Sequence, residues 1–183
     1  MPSAITLYRA AHLPSAPLGN NVTGNQQAVD LQGNLIVLPF PTNGSLDSVP
    51  FQIRVAGHYI GLTGNRTVQI FVYLGTSTII ANNSVVGNTS GVTYQPSTNR
   101  TNLNLVVELF VNGVTKSLYG TSAGYSGITS QTPTIAGNAI LNVDPNQDSN
   151  NQSAAPLGFT LLFNNNTAAV GEQFFFDVFE LRV

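Results

Sequence analysis

From about residue 28 the chain is a succession of strand-length apolar runs separated by clusters of Gly, Asn, Pro and Ser. That texture predicts antiparallel strands packed as a sandwich or barrel. Residues 34–39 (NLIVLP) form a short continuous apolar run. Phe51, Ile53 and Val55 alternate with Gln52 and Arg54, and Val68, Ile70, Val72 and Leu74 alternate with Gln69, Phe71 and Tyr73. Each set defines a strand with one core face. Residues 77–81, following Gly75-Thr76, predict the return strand of a hairpin. Leu103, Leu105, Val107, Leu109 and Val111 make the cleanest period-2 face, with Asn104 and Glu108 on the other side. Asn112-Gly113 then supplies the two positive φ angles of a type I′ turn, so residues 114–119 are expected to fold back on that strand.

Residues 135–143 and 158–163 are further strands, and the chain closes on QFFFDVFELRV over residues 173–183. There Phe175, Asp177, Phe179 and Leu181 share one parity, while Phe174, Phe176, Val178, Glu180 and Arg182 share the other. Burial of the aromatic half on both faces is expected, which places this strand inside a sheet rather than at its rim. The polar segments 84–102, 120–134 and 144–157 read as long loops. No repeat of fixed period and no helical periodicity longer than two turns is visible.

Residues 1–27 differ in texture. They hold Pro2, Pro14, Pro17 and the run GNNVTGNQQ, with one short apolar piece from Ile5 to Tyr8. The expected organisation is an extended N-terminal arm over residues 1–27 followed by a β-sandwich domain over residues 28–183. The fold class is all-β: an antiparallel, jelly-roll-like sandwich of about eight strands.

Composition sharpens this reading. Of the 183 residues only 8% are charged, against about 25% in an average domain, yet 42% are hydrophobic and mean hydropathy is +0.11. Surface polarity must therefore come from amides and hydroxyls. The net charge is −2, and Arg9, Arg54, Arg66, Arg100, Lys116 and Arg182 are dispersed, so no basic stripe for nucleic acid is formed. Zero cysteines exclude disulfides and thiolate metal sites. No secretory leader and no stretch near ~18 apolar residues is found; a soluble protein made in a cytoplasm, without membrane attachment or cofactor, is expected.

Candidate chemistry is sparse. Gly120-Thr121-Ser122-Ala123-Gly124 matches the string of a nucleophile elbow, but no helical pattern follows it, and His12 and His58 are the two histidines available as base. A loop is the expected reading. Asp144, Asn146, Asp148 and Asn150 alternate like the opening of a calcium loop, yet Ser149 and Ala155 stand where Gly and Glu are required. Asp30, Asp47, Glu108, Asp144, Asp148, Glu172, Asp177 and Glu180 show no spacing that selects a glycosidase pair. Asp177, between Phe176 and Val178, is the one acid expected to be buried, hydrogen-bonded in a structural role. Eight N-x-S/T strings, at Asn21, Asn43, Asn65, Asn82, Asn88, Asn99, Asn151 and Asn165, follow from composition. Tyr94, Tyr119 and Tyr125 border polar segments and are read as packing residues.

A cysteine-free, charge-poor, Asn/Thr/Gly-rich β-chain with a Pro-rich arm and a terminal FFFDVFELRV strand resembles the small capsid decoration, or cement, proteins of tailed bacteriophages. The resemblance implies a non-enzymatic virion protein on the capsid surface, made in the host cytoplasm. It further implies a homotrimer that clamps neighbouring major capsid protein subunits, with the arm as anchor. Ile5, Leu7, Tyr8 and Arg9 are then the expected capsid or subunit contacts. The alternative is a receptor- or glycan-binding tip domain of a tail fibre or spike.

Overall fold

The computed structural model describes residues 6–9, 15–39, 51–61, 66–89, 92–94, 97–112, 117–126, 135–136, 138–142 and 158–182. In chain order the strands are β1 (Thr6–Arg9), β2 (Gly24–Gln27), β3 (Val37–Pro39), β4 (Phe51–Gly61) and β5 (Arg66–Leu74). There follow β6 (Ser84–Thr89), β7 (Val92–Tyr94), β8 (Ser97–Asn112) and β9 (Ser117–Ser126). The last are β10 (Ile135–Ala136), β11 (Asn138–Asn142), β12 (Gly158–Asn165) and β13 (Gln173–Arg182). They form two antiparallel sheets, the sandwich that the alternation predicts. One is ordered β1-β13-β4-β8-β9-β11; the other is ordered β10-β6-β5-β12-β2, with β3 also on β12 and β7 also on β5.

The core is made by alternate residues of the long strands. β4 buries Phe51, Ile53 and Val55, β8 buries Leu103, Leu105, Val107 and Leu109, and β5 buries Val68, Ile70, Val72 and Leu74. β12 adds Phe159, Leu161 and Phe163 from the second sheet. Phe163 stacks on Phe174 of β13 at 4.7 Å, and Phe174 meets Phe176 edge-on at 4.8 Å, so aromatic packing joins the sheets.

β13 departs from strict alternation. Phe176 pairs with Gly57 and Val178 with Ala56, leaving Asp177 as the extra residue of a bulge. That one residue reverses the parity, and Phe174, Phe176, Phe179 and Leu181 all become buried. Asp177 is thereby turned outward and is exposed, contrary to the burial expected of it. β13 does lie inside its sheet, between β1 and β4.

The described N-terminal residues, 6–9 and 15–27, are tied to both sheets. Thr6–Arg9 pairs with the second half of β13, and Leu18 exchanges both main-chain hydrogen bonds with Phe174 in its first half. Ser15, fully buried, accepts the Phe176 amide on Oγ at 2.6 Å beside the bulge. At Gly19 and Asn21, both with positive φ, the chain crosses to the other sheet and enters β2, which pairs with residues 162–165 of β12. It then makes a tight excursion, Asp30 N donating to Asn34 O and Ile36 N to Ala28 O, before β3 resumes the pairing on residues 158–160. The segment expected as an arm is therefore an edge strand to both sheets. Its contribution is mainly hydrogen bonding, which is why its sequence is so poor in apolar residues.

Other expectations shift in detail. Residues 77–81 are not a strand: Ser77 N donates to Asn83 Oδ1 and Asn83 Nδ2 returns to Ser77 O, closing a loop with a 3-10 turn at Ile80–Asn82. The return strand is β6. Segment 84–102 holds β6, β7 and the start of β8, and most of β9 occupies residues expected in a loop. The β8–β9 hairpin forms, but with Asn112 opposite Ser117. Four residues then separate the strands where a two-residue turn was expected, and residues 113–116 lie outside the described residues, as do residues 144–157.

Candidate functional site

Of the expected contact residues, Ile5 lies outside the described residues. Leu7, Tyr8 and Arg9 belong to β1, the outermost strand of the six-stranded sheet. Register sets Arg9 opposite Glu180 on β13, which in turn faces Arg54 on β4. The Glu180 side chain has no exposed surface; Arg54 Nη1 donates to its Oε1 at 3.5 Å, and Arg182 pairs with the same oxygen. Two arginines, 37% and 30% exposed, thus cover a buried carboxylate. Beside it Gln52 Nε2 donates to Glu108 Oε1 at 2.6 Å. Arg54, Glu108, Glu180 and Arg182 thus gather at this end of the sheet, adjoining β1.

Among the described residues the candidate catalytic residues do not assemble. Residues 120–124 lie within β9, all paired to β8 and Gly120 and Thr121 also to β11, so Ser122 sits on extended backbone instead of a strand-to-helix turn. His12 is outside the described residues, as are residues 144–150. His58 bonds Asp177, Nδ1 to Oδ2 at 2.6 Å, and stacks on Phe175 with ring centroids 4.9 Å apart. Tyr94, Tyr119 and Tyr125 belong to β7 and β9.

A second locus was not singled out in the sequence. On β5 the core takes Val68, Ile70, Val72 and Leu74, which leaves Thr67, Gln69, Phe71 and Tyr73 on the outer face of the seven-stranded sheet, each partly exposed. The Phe71 and Tyr73 rings are 6.1 Å apart at 39°. Desolvation holds the Tyr73 phenol above its ordinary value. Register brings Leu162 beside Phe71, Thr160 beside Tyr73 and Asn164 beside Gln69, with Asn88 and Val85 across from the two rings on β6. Gln27 and Asn25 follow on β2. Leu162 is 1% exposed although it lies outside the core cluster. The loop after β5 borders this face: Gln27 Nε2 donates to Ser77 O at 2.9 Å and Thr160 Oγ1 to Gly75 O at 3.0 Å. The signal in the sequence is the pair of aromatics at positions where alternation calls for polar residues.

No family model matches the chain, and no curated protein sequence matches it. Among solved structures it is similar to the CBM2 module of the evolved Dit of Lactobacillus casei BL23 phage J-1. The identity there is 11%, with 91% of this chain and 74% of that one covered and a TM-score of 0.38. Lectin I from Ulex europaeus, solved with the methyl glycoside of α-L-fucose, is 8% identical over 98% and 90%, with a TM-score of 0.38. The GH43 protein BlXynB from Bacillus licheniformis is 12% identical over 72% and 27%, with a TM-score of 0.31.

Proposed function

We propose that this chain is a non-enzymatic structural protein of a phage virion that binds the outer surface of the capsid and clamps neighbouring major capsid protein subunits, as a homotrimer. The observation that carries the reading is the position of β1. It is the terminal strand of the six-stranded sheet, and among the described residues it pairs with β13 alone. Its second edge offers main-chain donors and acceptors for strand addition by a partner, where hydrogen bonds supply affinity and alternate side chains supply specificity. Leu7, Tyr8 and Arg9 are the contact residues this implies. A chain with 8% charged residues supports close packing of identical copies, because it lacks the self-repulsion that keeps proteins apart.

The test is cosedimentation with purified capsids, comparing the full chain with a chain lacking residues 1–9. This deletion spares Ser15 and Leu18, which belong to the sandwich. Attachment at least tenfold weaker, about 1.4 kcal/mol, is expected with the thermal transition retained. Equal decoration by both chains refutes the role of β1, and absence of the full chain from virions refutes the reading itself.

A further inference from the structure

The geometry points to a second binding surface, independent of β1: we infer that the outer face of the seven-stranded sheet, centred on Phe71 and Tyr73, binds neutral polysaccharide. Four observations lead there. First, two aromatic rings occupy the solvent side of β5 although the core is already filled from the other side of the same strand. Folding does not require aromatics at those positions; a ligand that covers rings does. Second, the positions that register places around them are Gln69, Asn164, Asn88, Gln27 and Asn25. An amide carries donors and acceptors together, which matches hydroxyl groups that are both.

Third, none of the described outer positions of β5, β12 and β2 on this face carries a charge. Among the described residues, ion pairs lie on the six-stranded sheet, around Glu180 and His58. A polyanion or a charged peptide finds no counter-ion here, whereas an uncharged sugar needs none. Fourth, the face is pre-organised. Asn164 Nδ2 is bonded to Asn25 Oδ1 at 2.5 Å, Leu162 is packed away at 1% exposure beside Phe71, and the bordering loop is fixed by the paired Ser77–Asn83 bonds and by Gln27. Sites whose groups are already held lose less freedom on binding.

The chemistry follows. A pyranose presents an axial C–H face that packs on the electron-rich face of a ring, and an equatorial rim of hydroxyls within reach of the amides. Two rings 6.1 Å apart on one strand offer consecutive contacts to a chain of sugars. The occupant is therefore a neutral oligo- or polysaccharide laid along β5.

Affinity electrophoresis of the full chain tests this, in gels containing a neutral β-glucan, dextran or galactomannan, with alginate and heparin as charged controls. Retardation by at least one neutral polymer is expected, unchanged by added salt, and reduced at least tenfold in Phe71→Ala and Tyr73→Ala. Gln69→Ala, which touches no core position, should weaken it with an unaltered melting curve, and Gln52→Ala on the opposite sheet should leave it intact. No retardation by any neutral polymer, retention of full binding by both aromatic variants, or binding confined to the charged polymers overturns the inference. Loss of capsid cosedimentation in the aromatic variants also overturns it, by assigning the face to the capsid; loss on deleting residues 1–9 bears on the earlier proposal alone.

Discussion

His58 Nδ1 lies 2.6 Å from Asp177 Oδ2 across β4 and β13, at the bulge where Asp177 has no register partner. The extra residue of the bulge brings two aromatic and aliphatic pairs, Phe174 with Phe176 and Phe179 with Leu181, onto one face. The hydrogen bond ties that residue to the neighbouring strand. With the side chains 14% and 37% exposed, the bond itself contributes modestly, about 0.5–1 kcal/mol. A double-mutant cycle of His58→Ala and Asp177→Ala should return a coupling of that size. Register predicts a sharper contrast. Deleting Asp177 leaves Phe179 and Leu181 inward on a regular strand with their partners on β4 unchanged and should cost about 1–3 kcal/mol, whereas inserting one Gly after Asp177 restores alternation only by slipping the following residues two places along β4 and should cost more.

Gly57 lies under β13 at the same crossing. A Cβ there would stand 2.4 Å from the Phe175 carbonyl oxygen and 2.7 Å from Phe174 Cζ. The first neighbour is backbone and cannot rotate away. Gly57→Ala should destabilise by about 1–3 kcal/mol or more, read as a fall in the denaturant midpoint, while Gly33→Ala, in open space, meets no steric clash and tests only its positive φ.

The ion cluster at the β1 end is asymmetric. Glu180 is completely buried, but Arg54 and Arg182 keep about a third of their side chains in water. Removing the carboxylate lets both arginines hydrate; removing both arginines leaves a carboxylate with neither water nor these partners. The Arg54→Ala/Arg182→Ala double variant should therefore lose about 3–5 kcal/mol, clearly more than Glu180→Ala. Equal losses in chemical denaturation would contradict the cluster's electrostatic origin.

Asp30 gives a pH dependence of known sign. Its carboxylate accepts Asn34 Nδ2 and the Asn34 and Gln32 amides, and these bonds, the Asn34 side chain first, hold its pKa below the ordinary 3.8 against opposing desolvation. The folded state thus favours the ionised form. The turn's contribution is present above the unfolded pKa and is lost as pH falls through the folded one. The difference in melting temperature between the native chain and Asp30→Ala should be constant from neutral pH to about pH 5 and narrow below about pH 4.

What the sequence discloses follows from which forces carry each element. β4, β5 and β8 are held by burial of alternate residues, so their apolar period is visible in Phe51 to Val55, Val68 to Leu74 and Leu103 to Leu109. β6, β7 and β9 are built from SVVGNT, VTY and SLYGTSAGYS and depend on main-chain pairing, which leaves little trace in residue type. The bulge at Asp177 escapes notice for a related reason: a polar residue suits either an outward position or an extra one. Phe71 and Tyr73 were legible as strand residues, but their meaning depends on Leu162, Asn164 and Gln27, about 45 to 90 positions away and brought alongside only by the register of β12 and β2.

The N-terminal segment provides the most direct trial of the architecture. Residues 6–9 and 24–27 contribute strands to opposite sheets, and between them lie Ser15, with no exposed surface, and Leu18, 7% exposed in the core. Ser15 Oγ satisfies the Phe176 amide and Leu18 satisfies both Phe174 groups. Deleting residues 1–26 removes these partners and exposes the β13 edge together with Phe163, against which the crossing at Gly19 packs. Each orphaned buried amide or carbonyl costs about 1–3 kcal/mol, and two or three of them approach the whole stability of a domain, about 5–15 kcal/mol. The 27–183 chain should consequently lose its cooperative melting transition, whereas the 10–183 chain keeps it. Circular dichroism melts of the two truncations decide the matter, and a 27–183 chain that melts like the intact protein would return these residues to the status of a free arm.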